Sequence, residues 1–268
     1  MKKLSTMTAL ALATALFTSS IQANEEHKVE KEHKIEKKHP ESHAKHWAYL
    51  GQVGPKHWSE LNKKFKMCSE GKHQSPINII PNKHIQLKSL DLEYKSPSES
   101  IIDNGHTVQV NIKEGSLFKI NGVDYKLKQF HFHVPSENNI NGNEFPMEAH
   151  FVHATDDGKL AVVAVMFETG EENPVIAKIW KELPSLKMGE KVKFELSDKD
   201  IKALMPDNKE YYKFEGSLTT PPCSEDVKWH VYKHPLSVSK EQVIEFFKLY
   251  GFPNNRPIQE TNKREIDD

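Results

Sequence analysis

The stretch QFHFHVPSE, residues 129–137, sets two histidines two apart and ends in a carboxylate. In a β-strand, residues i and i+2 leave the same face, so Gln129, His131 and His133 point one way and Phe130, Phe132 and Val134 the other. Two imidazoles on one strand face are two of the three nitrogen ligands of a catalytic zinc site, whose fourth position stays open to water. By itself the pair is weak evidence, because in a chain with 15 histidines such a pair arises by chance on a solvated strand face. A third ligand decides between these readings. Between His133 and His150 lies Asn141-Gly142, a strong signal for a two-residue hairpin turn. Residues facing each other across that turn have numbers adding to 283, as His133 and His150 do, so an ideal hairpin sets these two side by side. Pro135 and Pro146 disturb the ladder, so the arithmetic predicts adjacency rather than register. His153 has the opposite parity to His150 and is expected to point away, as a structural residue. Gln129 and Glu148 each precede a histidine by two positions on the same face, where they can hold a ligand's second ring nitrogen.

The elements that must position these groups are mostly strands. Alternating or β-rich runs begin at His106 (HTVQVNI), Ser116 (SLFKI), Val123 (VDYKLKQFHFHV), Met147 (MEAHFVH), Tyr211 (YYKFEG) and Val227 (VKWHVYK). LAVVAVMFE from Leu160 does not alternate and is predicted to lie buried on both faces near the middle of a sheet. Two helices are expected. NPVIAKIWKEL from Asn173 has proline in its first turn and apolar Ile176, Ile179 and Trp180. SKEQVIEFFKLYG carries a Ser239/Gln242 capping box, a predicted buried stripe of Val243, Phe246, Phe247 and Tyr250, and a terminating Gly251. The fold class is mostly β (α+β): a large twisted, mainly antiparallel sheet with short peripheral helices in a single domain.

The chain divides in three. Residues 1–23 read as an export signal: Lys2 and Lys3, the apolar run TALALATALF at 8–17, then small residues ending IQA. That run is too short to span a bilayer, so the mature protein is expected to have no membrane span. Residues 24–46 form a charged, His-rich segment with two near-copies of one unit, EHKVEK and EHKIEK. Its composition predicts a disordered linker, and its five histidines leave open a weak metal-capturing role. Residues 47–268 have the texture of one globular domain. Without the signal, 35 basic residues face 38 acidic ones, a formal charge of −3 that leaves no footprint for nucleic acid or an anionic membrane. Cys68 and Cys223 are the two cysteines, and an exported chain favours their disulfide over two free thiols.

With these residues in view, the chain closely resembles the α-class carbonic anhydrases, particularly the exported bacterial ones. The resemblance runs through HWAYLGQVGPKHW from His46, QSPINI (74–79), NGH (104–106), QFHFHVPSE, MEAHFVH, LAVV, SLTTPPC (217–223) and NNRPIQ (254–259), nearly all of the 222 residues after the linker. It implies reversible hydration of carbon dioxide to bicarbonate and a proton, by attack of a zinc-bound hydroxide, in an enzyme that is periplasmic or secreted. It implies one Zn2+ held by His131, His133 and His150, with Gln129, Glu148 and the backbone of Asn254 orienting them. Thr219 would orient the nucleophile and donate its own proton to Glu137, since an ionised carboxylate can only accept. Val152, Val162, Leu218, Thr220, Val227 and Trp229 would form the carbon dioxide pocket. His106 would shuttle the proton, with Tyr49, Asn104 and Gln109 lining a water network. The resemblance also allows a homodimer, with no interface marked in the sequence. Asn138 departs from the family, where histidine commonly follows the glutamate, which puts the hydrogen bonding around Glu137 in question. Two other classes stay open: a binding module on the same fold, as in relatives that have lost a ligand histidine, and a zinc scavenger working through the linker.

Overall fold

The computed structural model describes residues 46–268. The expected signal and the charged segment up to residue 45 lie outside the described residues. The strands, in chain order, are β1 (Asn78–Ile79), β2 (Asp91–Glu93), β3 (Ser98–Asp103), β4 (Val108–Ile112), β5 (Leu117–Ile120), β6 (Val123–His133) and β7 (Asn139–Ile140). They continue with β8 (Met147–Ala154), β9 (Leu160–Thr169), β10 (Lys191–Lys193), β11 (Tyr211–Gly216), β12 (Val227–Tyr232), β13 (Leu236–Val238) and β14 (Ile266–Asp267). Twelve of these form one sheet, whose main path runs β10-β3-β4-β6-β8-β9-β12-β11-β14. The pairs are antiparallel except where β12 and β13 join β9 in parallel. β1 and β7 make a separate parallel pair.

Alternation explains how the sheet is buried. Along β9, Ala161, Val163, Val165 and Phe167 enter one core while Val162, Ala164 and Met166 enter the other. A strand covered on both faces has no polar side to present, hence its unbroken apolar run. Phe130 and Phe132 of β6 and Phe151 of β8 pack into the first core with Trp180 and Phe246 from the helices behind it. His131, His133 and His150 leave the other face, as parity requires.

The helices are short: α1 (Trp58–Leu61), α2 (Met67–Glu70), α3 (Pro174–Trp180), α4 (Asp198–Ala203) and α5 (Lys240–Tyr250). None among the described residues is long and apolar enough to cross a membrane. α5 starts with the expected capping box and ends at Gly251, whose φ of 71° is the left-handed conformation a helix terminator adopts. Its buried edge is narrower than the predicted stripe: Phe246 is buried with Gln242, but Phe247 is exposed. Phe247 lies one helical step, about 100°, round from Phe246, and a helix resting on the back of a sheet covers less than that second row. Gln242 is buried for another reason. Its Oε1 accepts from Ser239 N–H and Asn173 N–H, its Nε2 donates to Asn173 O, and its carbonyl accepts from Trp180 Nε1. One side chain thus ties the starts of α3 and α5 together.

Candidate metal centre

The register of β6 against β8 differs from the hairpin arithmetic. His131, not His133, stands opposite His150, and His133 faces Glu148. Ile140 and Asn143 do bracket the Asn141-Gly142 turn as expected. The body of the hairpin, from Ser136 N–H to Phe145 O at 2.9 Å onward, runs two residues out of step with it. The excess lies between Ser136 and Ile140, where the backbone leaves the ladder to pair β7 with β1. Glu148 holds this excursion: its Oε2 accepts from both Glu137 N–H and Asn138 N–H at 2.8 Å, and its Oε1 from Asn138 Nδ2 at 2.8 Å. A shift of two preserves side-chain parity, so His150 remains on the same face as the other two histidines.

Two of the three histidines have one ring nitrogen committed by a hydrogen bond. His131 Nδ1 meets Gln129 Oε1 at 2.8 Å, and His133 Nδ1 donates to the carbonyl of Asn254 at 2.8 Å. A carbonyl only accepts, so His133 must carry its proton on Nδ1, and its Nε2 is a bare lone pair in the interior with no partner. His150 Nε2 stands 2.9 Å from Glu148 Oε1 in poor alignment, and its Nδ1 lies 3.9 Å from Glu137 Oε2. One ligand atom from each of the three lies within 4.8 Å of the others. Burial is the main force holding all three below the usual histidine range, with mutual repulsion adding to it at His131 and His150. Three neutral imidazoles presenting lone pairs to one point are a donor set for a borderline-soft cation such as zinc.

Glu137 is buried next to this point, its Oε2 3.5 Å from His133 Nε2 and 3.9 Å from His150 Nδ1. Its Oε1 accepts from Arg256 N–H at 2.8 Å. Burial pushes its carboxyl up to about 8, against the Thr219 hydroxyl and the Arg256 N–H, which favour the carboxylate. No well-aligned bond from Thr219 closes on it, and Oε2 is left unpaired. Thr219 sits in a loop anchored at both ends. Ser217 and Ser75 exchange hydrogen bonds of 2.8 and 3.1 Å, and Cys223 is bonded to Cys68. Gly216 permits the approach, because a Cβ there would fall 2.2 Å from Ser75 Oγ.

Beside His150 rises an apolar wall. Trp229 meets its ring edge-on at 4.9 Å, and Val162 and Val227 are buried with Trp229 in one cluster against which Val152 and Leu218 pack. Thr220 is half-buried, its carbonyl accepting from Cys223 N–H. His153 lies on the opposite face as expected, its Nε2 2.8 Å from Tyr94 Oη.

His106 occupies a turn in which Asn104 Oδ1 accepts from His106 N–H and Thr107 N–H, both at 3.0 Å. Asn254 Nδ2 donates to its carbonyl, so the residue that orients His133 also fixes the backbone of His106. Asn104, Gln109 and Asn111 form a side-chain chain, and Gln109 is paired across the ladder with His131. Tyr49 is buried 6.2 Å from the His106 ring. Trp47 stacks on that ring at 3.6 Å, and burial lowers His106 to about 4.

The sequence reading missed Arg256, Thr107 and the role of Asn138. Arg256 is buried, its guanidinium donating to Gln74 Oε1, Ser75 O and Cys68 O. Thr107 Oγ1 donates to Phe132 O at 2.6 Å and accepts from Phe132 N–H, closing the ladder where β4 runs out. Asn138 also accepts from Ile77 N–H. The one available signal was Arg256 itself, a charge between Asn255 and Pro257 that gives no hint of its distant carbonyl partners.

Comparison with known proteins places the chain among relatives of one kind. A family model described as eukaryotic-type carbonic anhydrase matches residues 53–268. A carbonic anhydrase of Pectobacterium atrosepticum is 44% identical, the match covering 84% of this chain and 91% of that protein. A hyperthermostable carbonic anhydrase from a hydrothermal vent chimney superposes with a TM-score of 0.78 at 45% identity, over 83% of this chain and 99% of that one. Dioscorin, solved as a complex with ascorbate, superposes with a TM-score of 0.76 at 30% identity, over 83% and 97% of the respective chains.

Proposed function

The chain belongs to the eukaryotic-type, or α-class, carbonic anhydrases, and from that premise we propose that it hydrates carbon dioxide reversibly at a zinc ion held by His131, His133 and His150. The observation that carries this reading is the fixed tautomer of His133, which leaves a buried, partnerless lone pair beside two more histidines. Zinc at these ligands would acidify a bound water and so supply a nucleophile at neutral pH, the case for which this family is itself the standard example.

The protein's own groups do the rest. Gln129 and Asn254 hold the rings of His131 and His133 by their second nitrogens, and Glu148 stands beside that of His150. Thr219 and Glu137 position the nucleophile. With positive charge held at the triad, Glu137 would be ionised despite its burial; as a carboxylate it accepts a hydrogen bond from the Thr219 hydroxyl, which leaves a threonine lone pair for the site. Carbon dioxide, uncharged and poor in hydrogen bonds, lies against Val152, Val162, Leu218, Val227 and Trp229, with Thr220 at the edge of the loop. His106 carries the released proton outward along the polar line of Asn104, Gln109 and Tyr49. The disulfide and the pattern of residues 1–23 support export to the periplasm or beyond the cell.

Stopped-flow hydration of carbon dioxide tests this before chelation, after it, and after zinc is returned. Fast turnover lost and restored with zinc is the expected result. Absence of hydration by the zinc-loaded protein would overturn the reading and favour a binding module, a use of the fold that the dioscorin–ascorbate complex illustrates.

A further inference from the structure

Resting on the hydration reading, we infer that Arg256 is a positioning residue for the reaction: its backbone and its side chain together set the spacing between Glu137 and Thr219. These two come from separate segments, Glu137 after β6 and Thr219 in the loop between β11 and β12. Arg256 reaches both. Its backbone N–H donates to Glu137 Oε1 at 2.8 Å. Its guanidinium donates to Gln74 Oε1 at 2.9 Å, Ser75 O at 2.8 Å and Cys68 O at 2.9 Å. Each of those three residues in turn grips the Thr219 loop. Gln74 Nε2 donates to Cys223 O at 3.0 Å, Ser75 N–H donates to Ser217 Oγ at 2.8 Å, and Cys68 is disulfide-bonded to Cys223. Ser217 and Cys223 flank Thr219 on either side.

The chemistry of arginine suits this work. A guanidinium is a flat fork whose N–H bonds point in fixed directions, so acceptors bound to it are fixed relative to one another, as a compact ammonium on a flexible stem cannot fix them. Arg256 is 2% exposed, lies over the Trp58 ring at 5.6 Å, and has its charge answered by neutral oxygens. A buried cation is a costly way to fill space, and an apolar side chain would fill it as well. What the fork adds is geometry: it holds three segments at a set angle to the N–H that holds Glu137. Gly71 makes room for the same junction, since a Cβ there would fall 2.3 Å from Gln74 Nε2. A misplacement of about 1 Å between groups that orient a nucleophile costs about 100-fold in rate, so an anchor shared by both acts on the reaction without touching the reactants.

The test is a double-mutant cycle in the full zinc-loaded protein, with kcat/KM for hydration, zinc content and denaturant midpoint measured for Arg256→Lys, Thr219→Ala and the pair. Arg256→Lys keeps the charge and loses the fork. The inference requires kcat/KM to fall by roughly tenfold with zinc retained, and requires the same change to cost less than about twofold once Thr219 is already alanine. A merely structural arginine would lower the denaturant midpoint and leave no such dependence on Thr219. Ser217→Ala loosens the same loop from Ser75 by a milder change, and should show the same masking by Thr219→Ala; it decides the matter if Arg256→Lys does not fold. Equal fold losses in the two backgrounds, or wild-type kcat/KM in the folded single variants, overturn the inference alone. A wild-type protein that hydrates no carbon dioxide overturns the reading beneath it.

Discussion

Removing a ligand and removing a positioning group should fail differently. His150→Ala deletes one of three lone pairs, so zinc content by metal analysis and hydration should be lost together. Thr219→Ala leaves all three ligands and should retain zinc while kcat/KM falls by about 100-fold, with Thr219→Ser recovering much of it. A Thr219→Ala protein that loses its metal would make the threonine a structural residue. At this scale the sequence was informative wherever two residues on one strand decide the geometry: strand parity alone sets Gln129 beside His131 and turns His153 away. It was silent on groups reached across the fold, such as Arg256, whose partners Gln74, Ser75 and Cys68 lie more than 180 positions away.

Among the elements, the α3–α5 contact rests on Gln242. Its side chain would be read from sequence as a capping residue worth about 1 kcal/mol. In the fold it also satisfies the buried Asn173 N–H and C=O. Gln242→Ala should therefore destabilise by about 2–4 kcal/mol, measured as a lower denaturant midpoint with unchanged slope. A loss near 1 kcal/mol would mean that the tie to α3 adds nothing. The capping box, the doubly buried β9 and the main ligand strands were legible because local pattern specifies them. β3, β10 and β13 were not, since SESIID, KVK and LSV are too short or too mixed to show a period, and pairing with a neighbour makes them strands. The hairpin register failed for a related reason. Glu148 binds two backbone N–H groups and so stabilises a two-residue excursion that no turn rule contains.

For the molecule as a whole, acid should be more damaging than base. His153 and His230 are buried neutral, each lowered to about 3 chiefly by desolvation. The unfolded chain binds protons at these groups near pH 6.5 and the folded one does not, so stability is complete above that pH and is lost as pH falls toward 3. Each group adds up to about 1.4 kcal/mol per pH unit to the slope in that window. Melting temperature against pH should fall less steeply below 6.5 in His230→Gln than in the wild type, and identical slopes would remove His230 as a source of acid lability.

What the sequence determined by itself is whatever depends on spacing along one segment: the ligand face of β6, the burial of β9, the caps of α5, and, through ordered motifs, the family. The tertiary structure decided what depends on segments distant in the chain. It set His131 rather than His133 against His150, brought Asn254 O to His133 and Arg256 N–H to Glu137, and laid Trp47 and His46 against His106. Local backbone sterics repeat with a fixed period and can be read in order, whereas a hydrogen bond between distant residues has no period and exists only once the sheet has closed around it.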